Sequence, residues 1–409
     1  MSRVYTSPRV LPLLILGFAS GLPLALVSGT LQAWATVENV SLTEIGFLTL
    51  VGSAYTLKFL WAPLIDRYAP PFMGRRRGWI LVTQLLLAAS IAAMGLFSPS
   101  VNLTALALLA VWVAFLSATQ DIAFDAYCTD VLQAQERAAG AAVKVMGYRI
   151  AMIVSGGLAL ILADRWLGWS NTYFLMGGFM ALCALVTLIS PDPQEQSRPP
   201  RSLSEAVVAP LADFFSRPGA WSILALIVLY KLGDAFAGAL STTFLIRAAG
   251  FTLSEVGTIN KVFGLAATVV GALMGGAIMA RLGLYRALMI FGVLQAVSNL
   301  GYWLIAIETS PSMWLMGSVV GLENLCGGLG TAAFVALLMA LCNRTYSATQ
   351  FALLSALSAV GRTYLAGPLT PVLVESLGWP GFFICTVFIA VPGLLMLRCY
   401  RGLIQQLDA

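Results

Sequence analysis

Apolar residues in this chain come in long, nearly unbroken runs. Twelve can be read, at about 10–34, 44–64, 79–97, 102–127, 139–163, 170–190, 219–246, 254–280, 284–306, 311–342, 349–374 and 378–398. A bilayer core about 30 Å thick needs about 20 mostly apolar residues per helix. Each run meets that requirement, so the pattern predicts an all-α integral membrane protein with 12 transmembrane helices. The first run follows Arg3 and Arg9, as a signal peptide would. It is too long for one and lacks a small-x-small cleavage site, so it counts as a spanning helix.

The polar stretches between runs alternate in basic content. With the N-terminus in the cytoplasm, fifteen of the 23 basic residues fall on the cytoplasmic side, and only Arg165 and Arg247 fall opposite. This bias places both termini inside. The longest break, Pro191 to Arg217, holds Pro191, Pro193, Pro199 and Pro200. It reads as a linker, giving a six-helix bundle over 1–190, a cytoplasmic linker over 191–218 and a second bundle over 219–409. Residues 202–215 within it are predicted to form a short surface helix.

The halves repeat. Ser41-Leu-Thr-Glu-Ile-Gly46 opens the second run and Thr252-Leu-Ser-Glu-Val-Gly257 the eighth. Leu167-Gly-Trp169 precedes the sixth run and Leu377-Gly-Trp379 the twelfth. The offsets are nearly equal, which argues for duplication. Six plus six helices in parallel halves is a transporter architecture. Ser/Thr-x-x-Glu also predicts a capping box at each helix start.

Composition sharpens this picture. Hydrophobic residues make up 59% of the 409 and charged residues 10%, against about 25% charged in soluble domains. The six cysteines stand singly and read as small apolar residues. No histidine is present, which removes the usual neutral-pH proton carrier, the commonest metal ligand and the usual catalytic triad. No P-loop or dinucleotide fingerprint appears. The expectation is therefore a carrier without ATP drive, not an enzyme, with no cofactor, no metal and no nucleic acid partner. It is expected to act as a monomer in a lipid bilayer, and any proton relay must run on Asp or Glu.

The chemistry then lies in the charges within the runs. The acids are Asp121, Asp125, Asp234 and Glu323; the bases are Lys58, Lys144, Arg149, Lys231, Lys261 and Arg362. Intramembrane charges are costly and mark pathways by default. Asp121 and Asp125 are four apart and share a helix face; they are the candidate proton carriers, although a purely structural salt bridge is the competing reading. They sit at a depth similar to Lys144 and Arg149 on the returning helix. The cationic surplus suits an anionic substrate. Arg149 is the first candidate carboxylate ligand, with Lys144, Lys231 and Arg362 as further ones. Lys58 and Lys261 either join them or snorkel to the cytoplasm. Glu323 and Asn324 lie among Gly321, Gly327, Gly328 and Gly330, as a gating hinge or a sugar contact. Gln32, Gln120 and Trp34 add amides and an aromatic face of the kind saccharides bind, although for any single tryptophan a place in the interfacial belt is the favoured reading.

The loop Ala62-Pro-Leu-Ile-Asp66-Arg67 … Gly74-Arg75-Arg76-Arg77 resembles the cytoplasmic signature of the major facilitator superfamily, with extra residues between Arg67 and Gly74. Its second-half counterpart, Gly276 to Arg286, lacks the acid. The resemblance implies that Asp66 and Arg67 latch one conformation; Arg75 to Arg77 read as topology anchors. More narrowly, the sequence resembles the AmpG-type muropeptide permeases of Gram-negative inner membranes. Gly17 to Leu26, Gly29-Thr-Leu-Gln-Ala-Trp34, Lys58 to Tyr68, Pro70 to Trp79, Ser117 to Ala126 and Gly147 to Ala159 carry the likeness. It is dense over 10–190 and thinner over 219–400. Some members of that family extend further at the C-terminus.

The resemblance implies proton-driven import of GlcNAc-1,6-anhydro-MurNAc, with or without its peptide, for peptidoglycan recycling. In bacteria with inducible β-lactamase such import also feeds the inducer, a link to β-lactam resistance. It further implies that Gly29, Gln120, Asp121 and Asp125 are site or pathway residues. Another carrier of an anionic solute, of acetyl-CoA type or a drug transporter, is the alternative.

Overall fold

The computed structural model describes residues 7–133, 136–192, 209–216, 219–342 and 347–406. The greater part of the expected linker, 193–208 and 217–218, lies outside the described residues, as does the first half of the surface helix expected over 202–215. The described residues contain helices and no strand, and nine helical runs among them are long and apolar enough to cross a membrane. They form two compact units. One comprises the described residues up to 40 and from 51 to 192; the other comprises 41–50 and those from 209 onward.

In the first unit α1 (Pro12–Leu26) and α2 (Gly29–Val37) share the first apolar run. The chain bends at Ser28 (φ −121°, ψ −99°), whose Oγ donates to the Leu24 carbonyl at 2.5 Å. α3 (Leu42–Leu48) follows along the chain and belongs to the second unit, while α4 (Arg75–Met94), α5 (Pro99–Val131), α6 (Arg137–Ile153) and α7 (Gly168–Ile189) continue the first. In the second unit lie α8 (Ala220–Ala239), α9 (Gly264–Leu282), α10 (Leu284–Ser298), α11 (Leu300–Ile307), α12 (Met313–Ala340), α13 (Ser347–Val360) and α14 (Gly367–Cys399).

The repeated motifs turn out to be backbone devices. Ser41 with Glu44, and Thr252 with Glu255, close reciprocal capping boxes, pairing helix-start N–H groups that would otherwise be orphaned. In each Leu-Gly-Trp, the glycine adopts an extended positive-φ conformation, φ +67° at Gly168 and φ +65° at Gly378. Side chains other than hydrogen rarely tolerate it. It breaks two helical runs, 139–189 and 353–399, which are 51 and 47 residues long. The following tryptophan then packs: Trp169 stacks on Trp34 at 5.5 Å, and Trp379 meets Phe244 at 5.0 Å and Phe383 at 5.9 Å.

Glycine lets two helix pairs touch backbone to backbone. On α1, a methyl at Gly21 would stand 2.7 Å from the Tyr148 carbonyl oxygen of α6, and Gly17 and Gly147 interlock there in the same way. Gly275 of α9 similarly abuts Leu329 of α12. Close approach of this kind gains dispersion contacts that lipid cannot replace. Among the glycines of the apolar runs, the sequence offers Gly156, Gly157, Gly271, Gly275 and Gly276 for close helix approach. Gly271 and Gly275 make it, against Leu325 and Leu329 of α12, whereas a methyl at Gly156 would reach only ordinary contact and Gly276 is open; in the first unit the seam runs through Gly17, Gly21 and Gly147.

Two arginines of the basic loop also hold helix ends together. Arg76 pairs with Asp130 of α5 at 3.0 Å, with side chains 8% and 7% exposed. Arg77 donates to the Thr187 and Leu188 carbonyls at the end of α7 and pairs with Asp192 at 2.7 Å. An arginine at a helix C-terminus meets both orphan carbonyls and the negative dipole end. Together they tie the ends of α4, α5 and α7. At the other end of the unit, Glu38 accepts from Trp34 Nε1, Ser98 Oγ and Ser100 Oγ.

Candidate functional site

Two charged clusters stand out, one in each unit. The first assembles on α1, α5, α6 and the turn at Lys58. Asp121 and Asp125 lie one helical turn apart on α5, as their spacing predicts. Asp121 is partly buried and accepts from Ser20 Oγ of α1 at 2.5 Å. Lys58, Asp125 and Lys144 act on it electrostatically. Asp125 forms an ion pair with Lys144 of α6; the side chains are 56% and 28% exposed. The Lys144 ammonium also lies 5.1 Å from the Phe124 ring centroid. Lys144 is thus the partner of Asp125, whereas Asp121 has the Ser20 hydroxyl and, electrostatically, Lys58 ahead of Lys144. Arg149, five residues further along α6, is exposed and makes no ion pair among the described residues.

Beneath this cluster the unit is apolar. Phe124, Tyr127, Val131, Leu132 and Val143 are buried together. The Asp125–Lys144 pair therefore has one side against packed hydrocarbon and the other open. A half-open pair is only weakly favourable on its own account, so another anion or a proton can replace either partner.

Other expected residues serve packing. Trp34 is 2% exposed, stacked on Trp169, tilted against Tyr173 and bonded to Glu38. That corrects the expectation of an open aromatic face for a sugar. Gln32 is buried near it on α2. Gly29 opens α2, and its neighbour Thr30 donates to the Ser155 carbonyl at 2.6 Å. Gln120 is buried, with no protein partner for Oε1. The side chains of Asp66 and Arg67, the expected latch, lie outside the described ones.

The second cluster assembles on α8, α11, α12 and two wide helical turns at 257–263 and 361–366. Lys231 pairs with Asp234 at 3.6 Å, reaches Thr331 Oγ1 at 3.4 Å and lies 5.9 Å from the Phe334 ring. Glu323 accepts from Asn324 Nδ2 at 2.9 Å and from the buried Tyr302 hydroxyl. Asn324 also donates to the Val320 carbonyl at 2.9 Å and accepts from Thr268 at 3.0 Å. That leaves its amide no free N–H. Asn324 is a scaffold for Glu323, which sequence alone left open. Lys261 Nζ donates to Thr242 Oγ1 at 2.8 Å, so it does not run along its helix toward the cytoplasm. Arg362 is exposed and acts electrostatically on both Lys261 and Glu323.

Sequence reasoning listed the ionisable residues but missed Ser20, Thr242, Thr268 and Thr331. Hydroxyl residues are common in apolar helices, where they bond their own carbonyls, so nothing in one sequence distinguishes these four.

Comparison with known proteins gives the following. A family model described as the Major Facilitator Superfamily matches residues 13–349. The anhydromuropeptide permease of Escherichia coli strain K12 is 60% identical over 98% of this chain and 82% of its own length. Among solved structures, a bacterial homologue of the lysosomal transporter Spinster, in an inward-facing unoccupied conformation, has a TM-score of 0.75 at 15% identity, covering 100% of this chain and 98% of that one. A D-xylose–proton symporter has a TM-score of 0.72 at 12% identity, covering 96% and 97%. These two likenesses concern the fold alone.

Proposed function

The chain belongs to the major facilitator superfamily and is a multi-pass membrane transporter, and from that premise we propose that it imports anhydromuropeptides from periplasm to cytoplasm in symport with protons. The observation that carries the substrate is the 60% identity, over 98% of this chain, to a protein named an anhydromuropeptide permease. On this reading the two units are six-helix bundles joined by residues 191–218, with twelve spans and both termini cytoplasmic. Three facts support the count. The 51-residue helical run would be about 77 Å long at about 1.5 Å per residue, too long for one crossing. Gly168 and Gly378 divide that run and its 47-residue counterpart. The broken segment 42–67 supplies one more. The uneven distribution of basic residues supports the orientation.

For the coupling, Asp121 and Asp125 are the proton-carrying pair. The Asp125–Lys144 contact supports this. A substrate carboxylate that takes Lys144 leaves Asp125 without its cation, and a carboxyl that loses a nearby positive charge binds a proton more readily. Protonation of Asp125 in turn frees Lys144 for the substrate. The two ligands therefore favour each other's binding, as symport requires. Arg149, with no ion-pair partner among the described residues, offers a bidentate fork to the peptide's carboxylates. Lys231, Glu323 and Arg362 supply the second unit's contacts. The test is uptake of radiolabelled anhydromuropeptide into energised membrane vesicles. Accumulation that collapses with an uncoupler supports the reading; accumulation indifferent to it removes the proton coupling.

A further inference from the structure

The second cluster has an imbalance that its own side chains do not resolve. Three cations, Lys231, Lys261 and Arg362, share it with two acids, Asp234 and Glu323. Asp234 is engaged by Lys231 at 3.6 Å. Glu323 is held by two neutral donors, Asn324 and Tyr302. Lys261 and Arg362 act on each other as like charges, Arg362 also acts on Glu323 from a distance, and neither cation forms an ion pair among the described residues.

Their positions exclude simple explanations. Both sit in wide helical turns, 257–263 and 361–366, a rare geometry that concentrates at functional sites. Lys261 is partly buried and points its ammonium at Thr242 rather than along its helix, which argues against snorkelling. Of its three N–H donors one is used, and the five of Arg362 have no hydrogen-bond partner among the described residues. Like charges that act on each other are unfavourable. An anion on both would turn the repulsion into attraction.

We infer that Lys261 and Arg362 form an anion subsite that takes the carboxylate of the transported solute, with Arg362 as the bidentate fork and Lys261 as the point charge. The inference rests on the muropeptide reading and adds to it the group that the second unit recognises. An anhydro-muramic unit without peptide ends in a free lactyl carboxylate. With peptide, the peptide's own carboxylates replace it. Either gives the pair a planar oxyanion. A phospholipid phosphate has the same charge and is the other source of such an anion.

The experiment uses the full chain in phosphatidylcholine nanodiscs. Binding of GlcNAc-1,6-anhydro-MurNAc is compared with that of its lactyl amide, which is alike in shape and neutral. The wild-type protein is expected to prefer the acid about tenfold, the size of one charge-assisted contact. Lys261→Gln and Arg362→Gln should lose that preference while still binding the amide, which shows that they are folded. Lys261→Arg should keep it. An unchanged preference in both glutamine variants overturns the inference. So does a preference that vanishes when phosphatidylglycerol is added, because the pair would then belong to lipid. A wild-type protein that binds acid and amide equally removes the subsite but leaves the transport reading intact. One that binds neither removes the transport reading itself.

Discussion

Glu38→Gln tests how one end of the first unit is held. The Glu38 carboxylate accepts from Trp34 Nε1 at 3.2 Å, from Ser98 Oγ at 2.7 Å and from Ser100 Oγ. It also sits at the N-terminus of α5, where Ser98 is the residue before the first helical turn. A hydrogen bond to a charged group is worth about 1.5–3 kcal/mol, and a helix N-terminus adds about 0.3–1 kcal/mol for an anion. The carboxylate is partly exposed and glutamine keeps one acceptor, so a net loss of about 1–2 kcal/mol is expected. For a chain of this size that is a fall of a few degrees in Tm.

The pH dependence is the discriminating part. Burial alone would raise the Glu38 carboxyl, but the bonds from Ser100, Ser98 and Trp34 outweigh it and hold the group below its ordinary value of 4.5. A depressed acid contributes stability above its unfolded pKa and loses it as pH falls through the folded one. Wild type should therefore exceed Glu38→Gln at pH 6, and the two curves should converge below about pH 4. Intrinsic tryptophan fluorescence during heating in micelles, measured at each pH, gives the difference. Other carboxylates titrate alike in both proteins and cancel. Parallel curves with a constant gap would refute the argument, since the loss would then come from shape rather than charge. Glu136, held low first by the Ser7 hydroxyl at 2.6 Å, should behave with the same sign.

Three further outcomes are expected. Asp121→Asn and Asp125→Asn should abolish pH-driven accumulation while leaving substrate exchange, measured by counterflow in vesicles; normal accumulation in both would remove them from the coupling. Gly21→Ala should destabilise by about 1–3 kcal/mol, because its methyl would press on the Tyr148 carbonyl and overpacking outweighs a helix-propensity gain of about 1 kcal/mol. Gly178→Ala, with open space around it, should be neutral or stabilising, and a thiol-reactive dye reporting exposure of buried Cys128 and Cys183 reads both. Arg76→Gln should cost about 3–5 kcal/mol by stranding Asp130, and adding Asp130→Asn should recover part of it in the same assay.

Much of the fold could be read from the chain because lipid is an undemanding solvent. It selects for long apolar runs, and charged flanks report orientation. The capping boxes and the Leu-Gly-Trp turns were legible for a related reason: they act within a few residues of themselves. What the sequence hid depends on which helices meet. It gave the charges of the first cluster, but not that Asp125 would take Lys144 and leave Arg149 outside. Trp34 looked like a binding face because a tryptophan in an apolar run does not announce its neighbours. Arg76 and Arg77 looked like loop residues because Asp130 and the end of α7 lie 54 and 110 positions away.

The duplication also separates what folds the chain from what it does. At the offset of 210–211 residues, the capping boxes and turns recur. None of the charges within the runs does. The positions matching Asp121, Asp125, Lys144 and Arg149 are Ala332, Ala336, Leu354 and Ala359; those matching Asp234, Lys261 and Glu323 are Pro23, Leu50 and Trp112. Backbone devices are tied to helix geometry, which both units must satisfy. On the proposed reading the charges answer to a ligand, and an asymmetric ligand has no need of the same charge in both units. The first unit pairs one of its two acids, Asp125, with a half-exposed lysine, which suits a proton carrier. The second holds two cations, Lys261 and Arg362, that form no ion pair among the described residues, which suits an anion. The equivalent substitution in each unit should therefore not have equivalent effects. Losing an acid from the first should change the pH dependence of transport. Losing a cation from the second should change which solutes bind.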